Sequence, residues 1–135
     1  MLYERSVRTP GSQALVDVTH LVREAVRESG VNTAHVMLSV PHTTAAITIN
    51  ENADPDVVSD FLRRLDRIIP VADPADRHGE GNSAAHLKSS LVGSSLGVIV
   101  ENGDLVLGTW QGIYLCEFDG PRTRRLLISV LAGGR

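Results

Sequence analysis

Apolar positions along the chain recur with two periods, and each change of period marks an element boundary. From Met1 to Val18 the pattern is strand-like and is broken by Pro10-Gly11, a turn pair that predicts a hairpin of two strands. Val18, Leu21, Val22, Ala25 and Val26 then repeat at helical spacing between Asp17, a suitable cap, and Gly30, a suitable stop. The runs 34–40 and 45–49 return to strand character and are joined by the polar Pro41-His42-Thr43-Thr44. Asp54-Pro55 opens the clearest helix. Asp54 is placed as cap, Pro55 as first helical residue, and Val57, Val58, Phe61, Leu62, Leu65, Ile68 and Ile69 form a stripe that Pro70 ends. A Pro-, Asp- and Gly-rich loop from Val71 to Gly81 feeds a short helix capped by Asn82 or Ser83 and running to about Val92.

Beyond Gly93 the chain reads as strands over 95–100, 105–107, 112–118 and 124–131, an antiparallel meander. Asn102-Gly103 suits a tight hairpin turn because both central positions of a type I′ turn need positive φ, and Asp119-Gly120-Pro121 is a second turn signal. Strands, helix, strands, helices and strands in that order predict an α+β fold with a mainly antiparallel sheet and two to three helices, as one domain over 1–135.

Composition narrows the partners. At 135 residues and 42% hydrophobic content the chain can bury a core without disulfide or structural metal, so any metal would be functional. The 13 basic and 16 acidic residues, net −3, lack the footprint of a nucleic-acid or anionic-membrane binder, which favours a small-molecule or protein partner. No run approaches the ~20 apolar residues of a membrane helix and the N-terminus has no signal-like apolar core, so the expected location is cytoplasmic. The single Cys116 lies in the apolar run 113–116 and reads as core.

The chemistry-bearing residues gather in short polar runs. His42-Thr43-Thr44 sits where a strand ends, and Asn50-Glu51-Asn52 follows the next strand, which runs away from His42, so the two clusters need not touch. In 77–88, Gly79 and Gly81 precede a helix start that suits an anion, with Lys88 nearby as a matching charge. His78 and His86 are eight apart, not a single-helix ligand spacing, and converge only if the loop folds back. Three imidazoles, His42, His78 and His86, with a fourth position open would suit a catalytic zinc or similar ion. Trp110, between Gly108 and Gly112 and beside Thr109 and Gln111, reads either as core or as the wall of a pocket. Glu117 within an apolar strand reads either as an exposed position or as a group orienting a histidine or acting as base.

His42-Thr43-Thr44-Ala45, Asn50-Glu51-Asn52, His78 with Asn82 and Ala85-His86-Leu87-Lys88, Gly108-Thr109-Trp110-Gln111, and Glu117 with Asp119-Gly120-Pro121-Arg122 together resemble the YjbQ family, also called UPF0047. The resemblance spans roughly 10–133, and it departs where the family often has Tyr and this chain has Asp76. It implies a β-sandwich-like α+β fold, a homotrimer, and a weak secondary thiamine-phosphate synthase activity. That activity joins a hydroxymethylpyrimidine diphosphate to a thiazole phosphate and releases pyrophosphate. On this reading His42, His78 and His86 hold a divalent metal, zinc or another transition metal, with magnesium the ion more usual for such chemistry. Glu51, Lys88 and Glu117 are the expected catalytic groups, and Thr43, Thr44, Asn52, Asn82, Ser83, Thr109, Trp110 and Gln111 the expected contacts to a small phosphorylated metabolite. A metal-dependent hydrolase on the same histidines and a non-catalytic ligand-binding trimer are the competing expectations.

Overall fold

Among residues 1–133, which the computed structural model describes, the chain forms β1 (Leu2–Arg8), β2 (Ala14–Asp17), α1 (Thr19–Ser29), β3 (Ala34–Ser39), β4 (Ala45–Glu51), α2 (Pro55–Ile68), α3 (Ser83–Val92), β5 (Ser95–Glu101), β6 (Asp104–Leu105), β7 (Gln111–Glu117) and β8 (Thr123–Ala132). The strands make a five-stranded sheet, β1-β8-β3-β5-β6, and a three-stranded one, β2-β7-β4, with every pairing antiparallel. The fold is α+β, as the element order predicts.

Period-2 alternation explains the layering. Val36, Leu38, Val98, Val100, Leu126, Ile128 and Val130 of the larger sheet meet Ala45, Ile47, Ile113 and Leu115 of the smaller one in a single buried cluster, which the inner face of α1 closes with Val22, Ala25 and Val26. At about 1.5–3 kcal/mol for each fully buried Val, Leu or Ile, this layer is the main source of stability. The smaller sheet is apolar on its other face too. Ala46, Cys116 and Phe118 pack there against Leu65 of α2 and Ala85 of α3. The unbroken apolar run of β7 is therefore a strand covered on both sides. Burial pushes the Cys116 thiol up to about 12, which leaves it as inert packing.

The helix signals hold with small adjustments. The Asp54 side chain accepts from the Asp56 N–H, Pro55 opens α2, and the helix stops two residues before Pro70. Its stripe is only partly used, since Leu65 is buried while Ile68 is 70% exposed. Asp17 lies one residue outside the α1 cap, Val18, yet its Oδ1 still accepts from the Thr19 N–H at 2.9 Å. The Asn102-Gly103 hairpin forms with φ of 54° and 76°, but the strand expected over 105–107 shortens to Asp104–Leu105.

Two expectations about pairing are corrected. The Pro10-Gly11 turn does not close a hairpin, because β1 pairs with β8 and β2 with β7, in different sheets. The C-terminal strands are not a continuous meander either, since β7 joins the smaller sheet while β8 lies between β1 and β3. In both places the turn carries the chain from one sheet to the other. A turn signal specifies that the chain reverses, while burial on two faces selects the partner strand. No helix among the described residues is long and apolar enough to cross a membrane.

Candidate functional site

The alternation that builds the core carries two charged residues into the same inter-sheet layer at one end. Glu117, at the end of β7, has the parity of Ile113 and Leu115, and Arg124, near the start of β8, has that of Leu126 and Ile128; both are buried, at 0% and 2% exposure. Arg124 Nε donates to Glu117 Oε1 at 2.8 Å and Nη2 forms a second bond to Oε2. Arg124 Nη2 also donates to Thr44 Oγ1 at 2.8 Å, and the Thr9 hydroxyl donates to Glu117 Oε1 at 2.8 Å. Burial alone would raise the Glu117 carboxyl; the bonds from Arg124, the Asp119 N–H and Thr9 outweigh it and hold the group below its usual range. Glu117 is therefore an ionised brace that ties β7, β8, the β1 end and the β3–β4 loop together.

His42 stands on that braced loop. Its Nε2 accepts the backbone N–H of Arg125 at 2.8 Å. A neutral imidazole that accepts at Nε2 carries its proton at Nδ1, so His42 offers a fixed N–H donor. Burial, then the charges of Arg124 and Arg125, hold His42 below its ordinary value of 6.5. With the folded pKa lowered, the unfolded chain takes the proton first on acidification. The associated stability is complete above about pH 6.5 and declines as pH falls toward the folded pKa. His42→Gln is expected to flatten this part of the stability–pH curve, measured by denaturation on either side of that pH; parallel curves for variant and wild type would remove His42 from the titration.

A groove of about 460 Å³ runs from His42 and Thr43 past His86 to Ser90 and Ser94. Among the described residues no carboxylate lines it. His86 also lines a second depression of about 410 Å³ with His78 and Ser83, and the His78 and His86 rings stand edge to face with centroids 5.3 Å apart. The loop does fold back, bringing two of the three sequence-predicted imidazoles together. His42 faces the same groove as His86, with Nε2 already engaged. Among the described residues no group of three or more His, Cys, Asp or Glu side chains is arranged to hold a metal ion.

The remaining sequence-predicted residues separate into three places. Thr44 belongs to the Glu117–Arg124 brace. Lys88 is buried at 1% exposure and faces away from His42, with its ammonium bonded to Asp66 and, at 3.0 Å, to Gln13 Oε1; Asn82 lines the same small cavity. Glu51, Asn52, Thr109, Trp110 and Gln111 lie at the far end of β4 and β7, where Glu51 pairs with Gln111. At 3.3 Å per residue, the six steps from Ala45 to Glu51 put them roughly 20 Å from the histidines. There Asn52 N–H donates to the Trp110 carbonyl, Gln111 Oε1 caps the Gly108 N–H, and Trp110 is 62% exposed, neither core nor wall of the His groove. Gly112 sits under Asn52, whose Cβ would lie 2.9 Å from any added Cβ, so only glycine fits. Sequence reading missed Arg124, Thr9, Gln13 and Asp66. The signal for Arg124 was its inward parity on β8; for the others there was none.

Solved structures share this compact α+β fold with antiparallel sheets. The crystal structure of a YjbQ/UPF0047 family protein from Clostridium acetobutylicum superposes with TM-score 0.93 at 52% identity, covering 96% of this chain and 99% of the other. One from Sulfolobus solfataricus gives 0.93 at 32% identity over 98% and 97%. The family model for UPF0047 YjbQ-like proteins matches residues 3–133. UPF0047 protein YugU of Bacillus subtilis is 53% identical over 97% of this chain and 99% of its own. The chain belongs to the UPF0047, YjbQ-like family.

Proposed function

We propose that the groove between His42 and His86 binds the phosphate of a small phosphorylated metabolite, and that the chain acts there as a weak transferase of the thiamine-phosphate synthase type. The observation that carries this reading is a groove lined by imidazole and hydroxyl groups able to donate, with no carboxylate among its described lining residues. His42 contributes an N–H whose direction is fixed by the Arg125 backbone, and Thr43, Ser90 and Ser94 contribute hydroxyls. The charges of Arg124, Arg125 and Arg122 act on His42 as positive neighbours, with Glu117 opposing them. In such a condensation the bond between carbon and the departing pyrophosphate breaks and charge collects on the leaving oxygens. Fixed donors lower that barrier without reorganising.

The proposal extends to a divalent metal on the His78–His86 pair and to a homotrimer. Two imidazoles fall short of the three protein ligands usual for catalytic zinc, so further ligands come from substrate oxygens or another subunit. A head-to-tail ring supports such sharing, because it would set the exposed Trp110 and Glu51 end of one copy toward the histidine end of the next.

Condensation of the two thiamine precursors by wild type and His86→Ala tests the reading. Wild-type turnover above a no-enzyme control that falls in the variant is expected; equal rates overturn the site. Metal analysis before and after chelator dialysis, and light scattering, test the metal and the trimer: metal-free protein as purified sinks the first, a monomer the second.

A further inference from the structure

Strands β3, β5 and β8 alternate buried and exposed positions, and the exposed ones stand on the face of the five-stranded sheet turned away from the core. Among the described residues eleven large apolar side chains are more than half exposed, and five of them, Leu2, Met37, Ile99, Val106 and Leu131, share this face. That concentration marks a binding surface, since singly scattered apolar residues would not collect on one sheet.

Strand register sets the face in rows. Leu131, His35 and Ile99 stand side by side on β8, β3 and β5, and Val106, whose N–H donates to the Ile99 carbonyl at 2.8 Å, extends the row. The next row is Leu2, Ser129, Met37 and Gly97. A depression of about 410 Å³ follows the two rows. A Cβ built at Gly97 would approach nothing closer than the Val36 carbonyl oxygen at 3.9 Å, so an open hollow lies beside the Met37 side chain. The rows hold no Asp, Glu, Lys or Arg. Covering them strands no charge, while Glu4, Arg8, Glu101 and Arg125 stand beyond them as a polar rim.

We propose that a second copy of this chain covers this face, sheet against sheet, about a two-fold axis that runs along the strands between β3 and β5. That axis exchanges β3 with β5 and β8 with β6. It therefore lays Met37 of one copy over the Gly97 hollow of the other, His35 over Ile99, and Leu131 over Val106, each contact made twice. Strand directions stay aligned, as in ordinary sheet-on-sheet packing. The area suffices. Met37, Ile99, Val106 and Leu131 form a patch of roughly 400 Å². Two patches remove about 800 Å² of apolar surface, and at an apolar share of about 60% the whole contact covers roughly 1,300 Å², within the range of specific dimers. The contact uses neither the histidine groove nor the Trp110 end, so it goes beyond the phosphate reading and doubles whatever the ring supplies.

The experiment measures the mass of the full-length protein by light scattering, with thermal melting as the check on folding. The expected wild-type mass is an even multiple of the 14.5 kDa chain. Ile99→Lys should halve it by burying a charge, and Gly97→Met should halve it by filling the hollow that Met37 enters. Ile68→Lys, equally exposed but on α2, should leave it unchanged. The exchange of knob and hollow, Met37→Ala with Gly97→Met, should restore the mass that Gly97→Met loses, which a general loss of stability would not. A dimer supports this contact and removes the ring; a bare trimer overturns this contact and leaves the ring standing. A monomer overturns both and gives the face to another occupant, such as an extended apolar peptide. Unchanged mass in Ile99→Lys and Gly97→Met, halved mass in Ile68→Lys, or a folded exchange variant that stays small would also overturn the contact.

Discussion

Replacing Arg124 by Met is expected to destabilise the protein by about 3–5 kcal/mol, the cost of leaving a buried charge without its partner. Glu117 has no exposure, and the variant would strand its carboxylate between two apolar sheets with only Thr9 and the Asp119 N–H as donors. Chemical denaturation should show a lower midpoint at unchanged slope. The pH dependence has a definite sign. In the wild type the folded carboxyl titrates below its ordinary value of 4.5, so its contribution is present above that value and lost as pH falls through the folded pKa. Without Arg124 burial dominates, the folded pKa rises, and acid unfolding should begin at higher pH. Glu117→Leu combined with Arg124→Met should cost less than the two single changes summed, because the pair disappears together. A single-variant loss under about 1 kcal/mol would show that the carboxylate finds another partner or protonates without consequence.

His42→Ala is expected to weaken binding of inorganic phosphate by roughly ten- to a hundredfold, the range for one hydrogen bond to a charged group. The direction follows from the Arg125 N–H, which occupies Nε2 and leaves Nδ1–H as the donor that His42 can bring to the groove. His42→Gln, whose amide can still donate, should recover part of the affinity. Calorimetric titration with phosphate reads both. An unchanged Kd in His42→Ala would move the anion elsewhere, and affinity in His42→Gln no better than in His42→Ala would show that shape matters more than the donor.

Much of the fold was legible in the chain. The α1 and α2 stripes, the Asp54-Pro55 start and the Asn102-Gly103 turn are local signals, each set by a few adjacent residues, and each appears where its chemistry places it. Strand partners were not legible. The Pro10-Gly11 and Asp119-Gly120-Pro121 turns read as hairpins, yet β1 meets β8 and β2 meets β7 more than ninety residues away along the chain. Pairing is decided by which faces must be buried together, and that is a property of the whole chain.

The site divides in the same way. The sequence by itself determined the residue types and their grouping into short polar runs: His42 at a strand end, His78 and His86 on either side of a glycine-rich loop, Lys88 on the following helix. Only the tertiary structure decided what each does. It turned Glu117 from a candidate base into a buried brace through an arginine seven residues on, turned Lys88 away from the histidines toward Asp66, and set Trp110 a full strand length from His42. The physical reason is that residue type fixes which bonds a side chain can make, while its partner depends on strand parity and layer order. Those are settled only when the two sheets close on one core.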